Sequence, residues 1–470
     1  MPEFVKRIPV PVSVETLYRW HASGGALPRL IPPWQPIALR SWRGGEATEN
    51  LPVPQQEGDI SKGATVTLET RVGPLTFTVV AKHTAHVRNE HFVDEMVRGP
   101  FAKWHHAHRF LPDEAGACLE DHIQYALPGG VVGNALGGWF ARRNLAQMFA
   151  FRHRRTLDDL LRHKAFADQP RMRIAISGAS GLVGRALTAF LRGGGHHVHP
   201  LVRRPAREHS DEIQWSPTEG TVDIDKLNGV DAVIHLAGES INGRWSAAKK
   251  ERILNSRVQG TQTLAAAIAA MEHPPKVLIS TSAVGIYGDS GEHILEETHD
   301  QDGDGFLADV CRQWEAAAQP ARDAGVRVVH PRVGMVVAAQ GGALPRMLTP
   351  FQLGLGGPVG SGRQWMSWIS LDDLIGLIHH ALFTESLDGP LNAVSPNPII
   401  NREFGQTLGR VLRRPAVMPL PAAAIQLGAG QMGRELLLYS IRASSARAEA
   451  SGFTFLQPTL ESALRAELGR

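Results

Sequence analysis

Three glycines, each separated from the next by two residues, constrain the fold of this chain more than any other feature. They occur in the run IAISGASGLVGRAL. The apolar strand-like segment Arg173–Ser177 precedes the first glycine, and the third glycine lies inside the helix-like segment Leu182–Arg192. Further strand-like and helix-like segments alternate along the chain: Val198–Val202, Ala232–Ala237, Ala247–Met271, Val277–Ser280, Asp309–Ala324 and Val326–Pro331. Strands that alternate with helices form parallel βαβ units. The sequence therefore predicts an α/β Rossmann domain with a doubly wound parallel sheet over residues 172–412.

The glycine run predicts a loop that binds phosphate groups. Gly178 permits a tight turn, Gly181 lets backbone N–H groups approach a pyrophosphate, and Gly184 lets the helix pack closely on the sheet. The N-terminus of that helix also offers unpaired N–H groups and the positive end of its dipole. We therefore expect dinucleotide binding, with contacts drawn from Gly178, Ser180, Gly181, Leu182, Val183 and Gly184.

The residues after the second strand indicate which dinucleotide is bound. An NAD site carries an Asp or Glu there to bind the ribose 2′-hydroxyl. This chain instead has Arg203 and Arg204, and segment 198–207 contains no acidic residue. Guanidinium groups form bidentate, charge-assisted hydrogen bonds with phosphate. NADP(H) is therefore the predicted cofactor, and the alternative is that both arginines belong to a solvated basic turn.

Residues 1–165 follow a different pattern, with strands first and a long helix last. Strand-like runs include Phe4–Val10, Ala64–Arg71 and His105–Leu111, and a helical pattern covers about residues 131–163. This order predicts an α+β domain in which the helix packs on an antiparallel sheet. It resembles the helix-grip domains of the START-like superfamily, and the resemblance implies an apolar ligand between sheet and helix. Residues 164–171 are predicted to be a linker.

A group of histidines in this segment raises the hypothesis of a metal site. On a strand, His106 and His108 share one face, and His86 or His91 could lie nearby. No neighbouring carboxylate or cysteine completes a recognisable ligand set. We therefore predict a partly exposed sheet face and no metal site.

From residue 172 onwards, longer motifs resemble a known family. The runs SGASGLVGRAL, DAVIHLAGESINGRW, SRVQGTQTL, STSAVGIYG, WEAAA, PRVGMVV and FQLGLGGPVGSGRQWMSWISLDDL occur in order. They are similar to those of atypical extended short-chain dehydrogenases/reductases of the epimerase-like type, often labelled nucleoside-diphosphate-sugar epimerases. Residues 413–470 resemble the small, mainly helical C-terminal domain of that family. Some members also carry a START-like N-terminal domain.

The resemblance implies further cofactor contacts. Leu236, Ala237 and Gly238 end the strand that lies beside the adenosine and ribose in short-chain dehydrogenases. Arg257 stands where the extended class commonly has an asparagine. The resemblance implies that this arginine contacts the cofactor or stabilises the fold, and the alternative is an exposed helix arginine in a surface ion pair.

The resemblance also raises a question about catalysis. Ser282 corresponds to the serine that polarises a carbonyl group in these enzymes, but the expected Tyr-x-x-x-Lys pair is absent from residues 305–311, GFLADVC. This departure puts ordinary dehydrogenase or epimerase chemistry in doubt. Tyr287 is the nearest replacement for the missing acid, and Glu239 is a candidate general base. The alternatives are that Tyr287 is a packing residue and that Glu239 pairs with a nearby cation such as Lys249.

Composition limits the classes of partner. The 49 basic and 46 acidic residues leave a formal net charge of +3, so we predict no nucleic-acid surface. No apolar run is long enough to predict a membrane span. The two cysteines, Cys118 and Cys311, are far apart, which favours the reducing cytoplasm. The leading hypothesis is an NADP(H)-binding oxidoreductase or epimerase-like enzyme acting on an unidentified small molecule. The alternative is a non-catalytic NADP(H)-binding sensor or scaffold.

Overall fold

The chain folds into two compact units. The computed structural model describes residues 1–44, 60–72, 75–299 and 303–470. One unit comprises Met1–Pro170, and the other comprises nearly all of the chain from Arg171 onwards. No helix in the described ranges is both long and apolar enough to cross a lipid bilayer.

The N-terminal unit is a seven-stranded antiparallel sheet with a long helix. Its elements are β1 (Glu3–Val10), α1 (Val14–Ala22), α2 (Ala26–Leu30), β2 (Ile37–Arg43), β3 (Thr65–Val72), β4 (Leu75–Val87), β5 (His91–Arg98), β6 (Lys103–Asp113), β7 (Gly116–Ala126) and α3 (Gly130–Lys164). The strand order is β1-β7-β6-β5-β4-β3-β2. Apolar side chains of β7 and α3, such as Ile123, Leu145 and Phe149, pack into one cluster. The predicted α+β helix-grip fold is therefore confirmed.

The histidine-bearing face of this sheet differs from the prediction. His106 and His108 are only 2% and 7% exposed, so the predicted partly exposed face is wrong. The strand's alternation turns both side chains toward the core of the unit. Carboxylates are also present, because Asp94 lies opposite His106 on β5 and Asp121 lies opposite His108 on β7. His86 instead bonds to a tyrosine hydroxyl of α1.

The second unit is built around parallel strands and helices. Its strands are β8 (Arg173–Ser177), β9 (His197–Val202), β10 (Ile213–Ser216), β11 (Thr221–Val222), β12 (Ala232–His235), β13 (Val277–Ser280), β14 (Ser282–Ala283), β15 (Ile294–Leu295), β16 (Arg327–Val333), β17 (Met335–Val337), β18 (Trp365–Met366), β19 (Trp368–Ser370), β20 (Gly389–Ala393), β21 (Ile399–Ile400) and β22 (Arg442–Ala443). Its helices are α4 (Leu182–Gly193), α5 (Ile224–Leu227), α6 (Ala247–Ala269), α7 (Phe306–Ala316), α8 (Gln319–Asp323), α9 (Leu344–Gln352), α10 (Leu371–Phe383), α11 (Asn401–Leu412), α12 (Ala422–Gly433), α13 (Ala446–Ala450) and α14 (Leu460–Leu468).

The main sheet of this unit is doubly wound. Seven strands pair in parallel in the order β10-β9-β8-β12-β13-β16-β20. The order reverses between β8 and β12, which is where such sheets bind dinucleotides. Apolar side chains of α6, including Leu264 and Ile268, pack against strand residues such as Val233 and Leu278. The predicted Rossmann fold is confirmed.

In two regions of this unit the structure gives more detail than the sequence prediction. The single helix predicted over Asp309–Ala324 is divided into α7 and α8, and Pro320 lies in the first turn of α8. Proline has no N–H group for the preceding turn, so a continuous helix is disfavoured there. The C-terminal region is mainly helical as predicted, and its Leu460 and Leu464 share a core with Phe404 of α11.

Candidate functional site

The glycine turn forms a cradle at the carboxyl end of β8. Gly178 has a φ angle of +72°, and a Cβ atom there would lie 2.9 Å from the backbone nitrogen of Ala237. A Cβ atom on Gly184 would lie 2.1 Å from the carbonyl oxygen of Gly178. Gly184 therefore keeps the first turn of α4 clear of the loop itself. With both side chains absent, the N–H groups at the start of α4 remain accessible, which fits a pyrophosphate.

The segment after β12 is fixed beside this cradle. Ser177 Oγ accepts a hydrogen bond from the backbone N–H of Leu236 at 3.2 Å and lies 2.6 Å from His235 Nδ1. Burial lowers the pKa of His235 to about 3, so its imidazole is neutral at physiological pH. The end of β12 is thus held by the uncharged, hydrogen-bonded pair of Ser177 and His235. The next three residues in the chain are Leu236, Ala237 and Gly238.

The two arginines after β9 have different surroundings. Arg204 forms paired hydrogen bonds with the carboxylate of Glu212, at 2.8 and 2.5 Å. Arg203 is exposed and has no hydrogen bond or ion pair within the described parts of the chain. A guanidinium without a competing carboxylate is the better partner for an incoming phosphate. Arg203 is therefore the stronger candidate of the two.

Arg257 supports the backbone of this region from α6. Its Nη1 atom donates to the carbonyl oxygens of Glu239 and Ile253 at 3.0 and 3.1 Å. Its guanidinium also lies 5.0 Å from the ring centroid of Trp314. A Cβ atom on Gly238 would lie 3.3 Å from the guanidinium carbon. These contacts agree with a fold-stabilising role next to the predicted cofactor site.

Glu239 is half-buried and paired. Its Oε1 atom lies 2.6 Å from the ammonium group of Lys249. This hydrogen bond lowers the pKa of Glu239, so the carboxylate is ionised at neutral pH. The ion pair matches the alternative considered from the sequence, and a role in proton transfer stays a prediction.

Ser282 follows β13, at the carboxyl edge of the sheet. It is 3% exposed, and within the described part of the chain its hydroxyl lies beside the thiol of Cys311, with no closer hydrogen-bond partner. Cys311 of α7 occupies the segment where a Tyr–Lys pair was expected, and burial raises the pKa of its thiol to about 11. Because that thiol stays protonated near neutral pH, Cys311 is a poor nucleophile.

Tyr287 belongs to a buried polar network. Its hydroxyl donates to Asn392 Oδ1 at 2.8 Å and accepts from Arg332 Nη1 at 2.9 Å. Arg332 in turn forms two hydrogen bonds with the carboxylate of Glu315, at 2.9 and 3.0 Å. Burial raises the pKa of Tyr287. Glu315 lies in the WEAAA motif, but the sequence did not predict its role or that of Asn392, because tertiary contacts alone bring Glu315 to Arg332 and Asn392 to Tyr287.

Together these features define a class of protein. A doubly wound parallel sheet, a glycine cradle at its reversal point and a serine after the next strand are the framework of a Rossmann-type short-chain dehydrogenase/reductase. Residues 174–391 match the profile of the NAD dependent epimerase/dehydratase family. Residues 10–151 match that of polyketide cyclase / dehydrase and lipid transport proteins, and residues 420–467 match a domain of unknown function.

Relatives and solved structures agree with this assignment. An epimerase family protein of Mycobacterium leprae is 42% identical over 293 residues, which are 62% of this chain and 94% of the relative. A nucleoside-diphosphate sugar epimerase structure from Corynebacterium glutamicum is similar with a TM-score of 0.78 and 32% identity, over 99% of this chain and 90% of that one. The human epimerase family protein, whose structure was solved with NADPH, has a TM-score of 0.58 and 36% identity over 63% and 99% of the two chains. The chain therefore belongs to the NAD dependent epimerase/dehydratase family.

The family assignment confirms the resemblance found from the sequence, including the START-like N-terminal domain and the small C-terminal domain. It also confirms the predicted cofactor class, a nicotinamide dinucleotide. The individual contacts of the glycine loop, the arginines and the three candidate catalytic residues stay predictions.

Proposed function

We propose that this protein is an NADP(H)-binding oxidoreductase or epimerase-like enzyme that acts on a small molecule in the cytoplasm. The observation that carries the proposal is the glycine cradle of Gly178 and Gly184, set beside the fixed backbone of Leu236. The NADPH-bound human relative supports the phosphorylated form of the cofactor. The two cysteines, both free and buried, are compatible with a reducing compartment.

The phosphate preference rests on Arg203. Its exposed guanidinium has no competing partner among the described residues, whereas Arg204 is engaged by Glu212. A charge-assisted bond to the 2′-phosphate contributes about 1.5–3 kcal/mol, so Arg203→Ala should weaken NADPH binding about 10- to 100-fold. NADH lacks that phosphate and serves as the matched control ligand. Fluorescence titration of both cofactors tests the assignment, and equal losses for NADPH and NADH would contradict it.

The chemistry would combine the cofactor with Ser282. A bound nicotinamide exchanges a hydride with a carbon atom of the substrate. Ser282 is the side chain that we place at the reacting carbonyl, because its buried hydroxyl can donate a hydrogen bond and faces only the weakly hydrogen-bonding Cys311 thiol within the described chain. Glu239, which is ionised, would accept rather than donate a proton. We assign Tyr287 to positioning Arg332, since its hydroxyl is already engaged on both sides.

An experiment on Ser282 separates activity from folding. The neighbour of this hydroxyl is a thiol, which hydrogen-bonds only weakly, so Ser282→Ala should change stability little and is a clean probe of catalysis. Compounds that raise the unfolding temperature of the NADPH-loaded protein would first be identified, including nucleoside-diphosphate sugars and carbonyl compounds. Carbonyl compounds would then be tested for NADPH oxidation at 340 nm, and sugar nucleotides for epimerisation by chromatography with the NADP⁺-loaded protein, because an epimerase returns the hydride and leaves the cofactor unchanged. We expect turnover with at least one protecting compound and a loss of at least 10-fold in Ser282→Ala.

A second candidate function is a non-catalytic NADP(H)-binding sensor. The observation that favours it is the absence of a Tyr–Lys pair, with Cys311 and its high pKa in that segment. A sensor would bind NADPH and protecting compounds without oxidising the cofactor. Turnover by the wild-type protein that disappears in Ser282→Ala would exclude this alternative.

The N-terminal unit adds a proposed ligand. Its helix-grip fold and its match to lipid transport proteins support an apolar small molecule between sheet and helix. Native mass spectrometry of the full-length protein, followed by solvent extraction, tests this. A single mass equal to that of the polypeptide with NADP(H) alone would argue against a retained apolar ligand.

A further inference from the structure

The N-terminal unit contains a buried group of imidazoles and carboxylates that the cofactor site does not use. His106 and His108 project from β6, Asp94 from β5 and Asp121 from β7. The strand register places Asp94 directly opposite His106 and Asp121 directly opposite His108, so all four side chains share the inner face of the sheet. The two imidazole rings lie with their centroids 3.8 Å apart.

One carboxylate oxygen lies between two ring nitrogens. Asp94 Oδ1 is 3.3 Å from His106 Nδ1 and 3.4 Å from His108 Nε2. One ligand atom from each of these three residues lies within 4.8 Å of the others. Ligand atoms around a tetrahedral zinc ion are separated by about 3.3 Å, as its bonds of about 2.0–2.1 Å require. The two oxygen-to-nitrogen separations therefore match those of a tetrahedral site, and the two ring nitrogens lie within 4.8 Å of each other.

The remaining ring nitrogens face a second carboxylate. Asp121 Oδ1 lies 2.9 Å from His106 Nε2 and 2.7 Å from His108 Nδ1. The other oxygen of Asp121 is 2.6 Å from His153 Nε2 on α3. Histidines that bind metals almost always direct their second nitrogen to such an acceptor, which fixes the tautomer and the ring orientation. Asp121 is thus hydrogen-bonded to the His106 ring, and its Oδ1 also lies in contact with the His108 ring.

The first carboxylate also has an outer partner. The indole N–H of Trp104 donates to Asp94 Oδ2 at 3.3 Å, which leaves Oδ1 directed at the histidines.

A nearby arginine does not take the place of a metal ion. Arg152 of α3 donates to the carbonyl oxygen of Leu30 at 3.2 Å, and its guanidinium packs 5.1 Å from the ring centroid of Phe149. Within the described residues it forms no ion pair with Asp94 or Asp121. Arg152 therefore does not direct its positive charge at the space between Asp94 Oδ1 and the two imidazole rings.

From this geometry we propose that Asp94, His106 and His108 bind a divalent first-row transition metal ion, with Asp121 as the positioning residue for the His106 imidazole. Two histidines and one carboxylate form the ligand set of many zinc and non-haem iron sites. Three protein ligands leave coordination positions for water or an added ligand, as in catalytic rather than structural sites. The proposal is independent of the proposed NADP(H) function, which lies in the second unit.

The test uses Co²⁺ as a spectroscopic probe of the full-length, untagged protein after treatment with a chelator. We expect one tightly bound Co²⁺ per chain with visible ligand-field absorption, displaced by Zn²⁺. Asp94→Asn and His108→Gln should each abolish this absorption. Asp121→Asn should weaken Co²⁺ binding about 10- to 100-fold while retaining one equivalent at saturation, as expected when an outer-sphere partner is removed.

The matched control is His105→Gln. His105 precedes His106 on the same strand and its side chain is on the opposite face, so its loss should leave Co²⁺ binding unchanged. Circular dichroism and urea unfolding show that each variant is folded. If Asp94→Asn does not fold, the Asp121→Asn series and the wild-type stoichiometry decide the matter. The proposal would be overturned if the wild-type protein bound no tight equivalent of Co²⁺, or if its affinity for Co²⁺ equalled that of His108→Gln.

Discussion

Replacing Glu315 by glutamine should lower the free energy of unfolding of the second unit by about 3–5 kcal/mol. Arg332 is 0% exposed, and both carboxylate oxygens of Glu315 accept its hydrogen bonds, at 2.9 and 3.0 Å. Glutamine keeps the shape of the side chain but removes the negative charge and turns one acceptor into a donor. The other groups that bond Arg332, the Tyr287 hydroxyl and the carbonyl of Glu297, are uncharged. The variant therefore leaves a buried cation without its counter-charge.

Urea unfolding followed by tryptophan fluorescence measures this loss. A second comparison uses Glu315→Leu, Arg332→Met and the double variant. Removing both charges together avoids an unpaired buried ion, so the double variant should lose much less than the sum of the single losses. The surface carboxylate Glu461, which pairs with Arg410 and Arg465, supplies the control. Glu461→Gln should cost no more than about 1 kcal/mol.

Two results would refute this reasoning. One is a loss below about 1 kcal/mol in Glu315→Gln, which would place the pair in the range of solvent-screened surface contacts. The other is additivity of the two single losses within about 0.5 kcal/mol, which is the behaviour of independent sites. Either result would mean that Arg332 finds another anionic partner or water when Glu315 is changed.

Three further predictions concern the same unit. Gly184→Ala places a methyl group against the glycine loop and should weaken NADPH binding at least 10-fold in a fluorescence titration, whereas Gly428→Ala, with open space around it, should not. Tyr287→Phe leaves its two buried partners unsatisfied and should cost about 1–3 kcal/mol in urea unfolding with unchanged NADPH affinity; a fall in kcat without any loss of stability would instead favour a catalytic role. Burial lowers the pKa of His235 to about 3. Below about pH 6.5 the unfolded chain therefore binds a proton at this residue that the folded chain does not bind. The free energy of unfolding consequently falls as the pH decreases toward 3. His235→Gln should reduce that slope by up to about 1.4 kcal/mol per pH unit in urea unfolding between pH 6.5 and 4, and the exposed control His273→Gln should leave it unchanged; equal slopes in all three proteins would contradict the prediction.

Local features of the sequence predicted the cofactor cradle well. The strand Arg173–Ser177 has the predicted bounds, and α4 begins at Leu182 as expected. The reason is physical, because a tight turn, a buried strand and a helix start each depend on residues close together in the chain. The conformation of Gly178 follows from the same short run. For this part of the molecule, sequence spacing and three-dimensional proximity coincide.

Contacts between distant residues were beyond sequence reasoning. The sequence did not indicate that Asp94 and Asp121 lie near the histidines, because strand pairing, and not sequence spacing, brings these residues together. Glu212, which engages Arg204, lies eight residues further along and on the other side of a turn. Periodicity indicates which face of an element is apolar, but it does not say which polar groups meet across a sheet. The energetic cost of burying such groups unpaired makes these contacts specific, although no local pattern marks them.

The residues that occupy the segment expected to hold a Tyr–Lys pair limit the chemistry available to this site. The first turns of α7 occupy that segment, and Cys311 lies there with a pKa of about 11 because it is buried. The guanidinium of Arg257 is near enough to oppose this shift, yet it is held by backbone carbonyls and does not abolish it. A protonated thiol and a fixed guanidinium do not form an acid–base pair that works near neutral pH. We therefore expect any proton that accompanies the proposed hydride transfer to move through Ser282 and water, through Glu239, through Tyr287, or through the substrate itself.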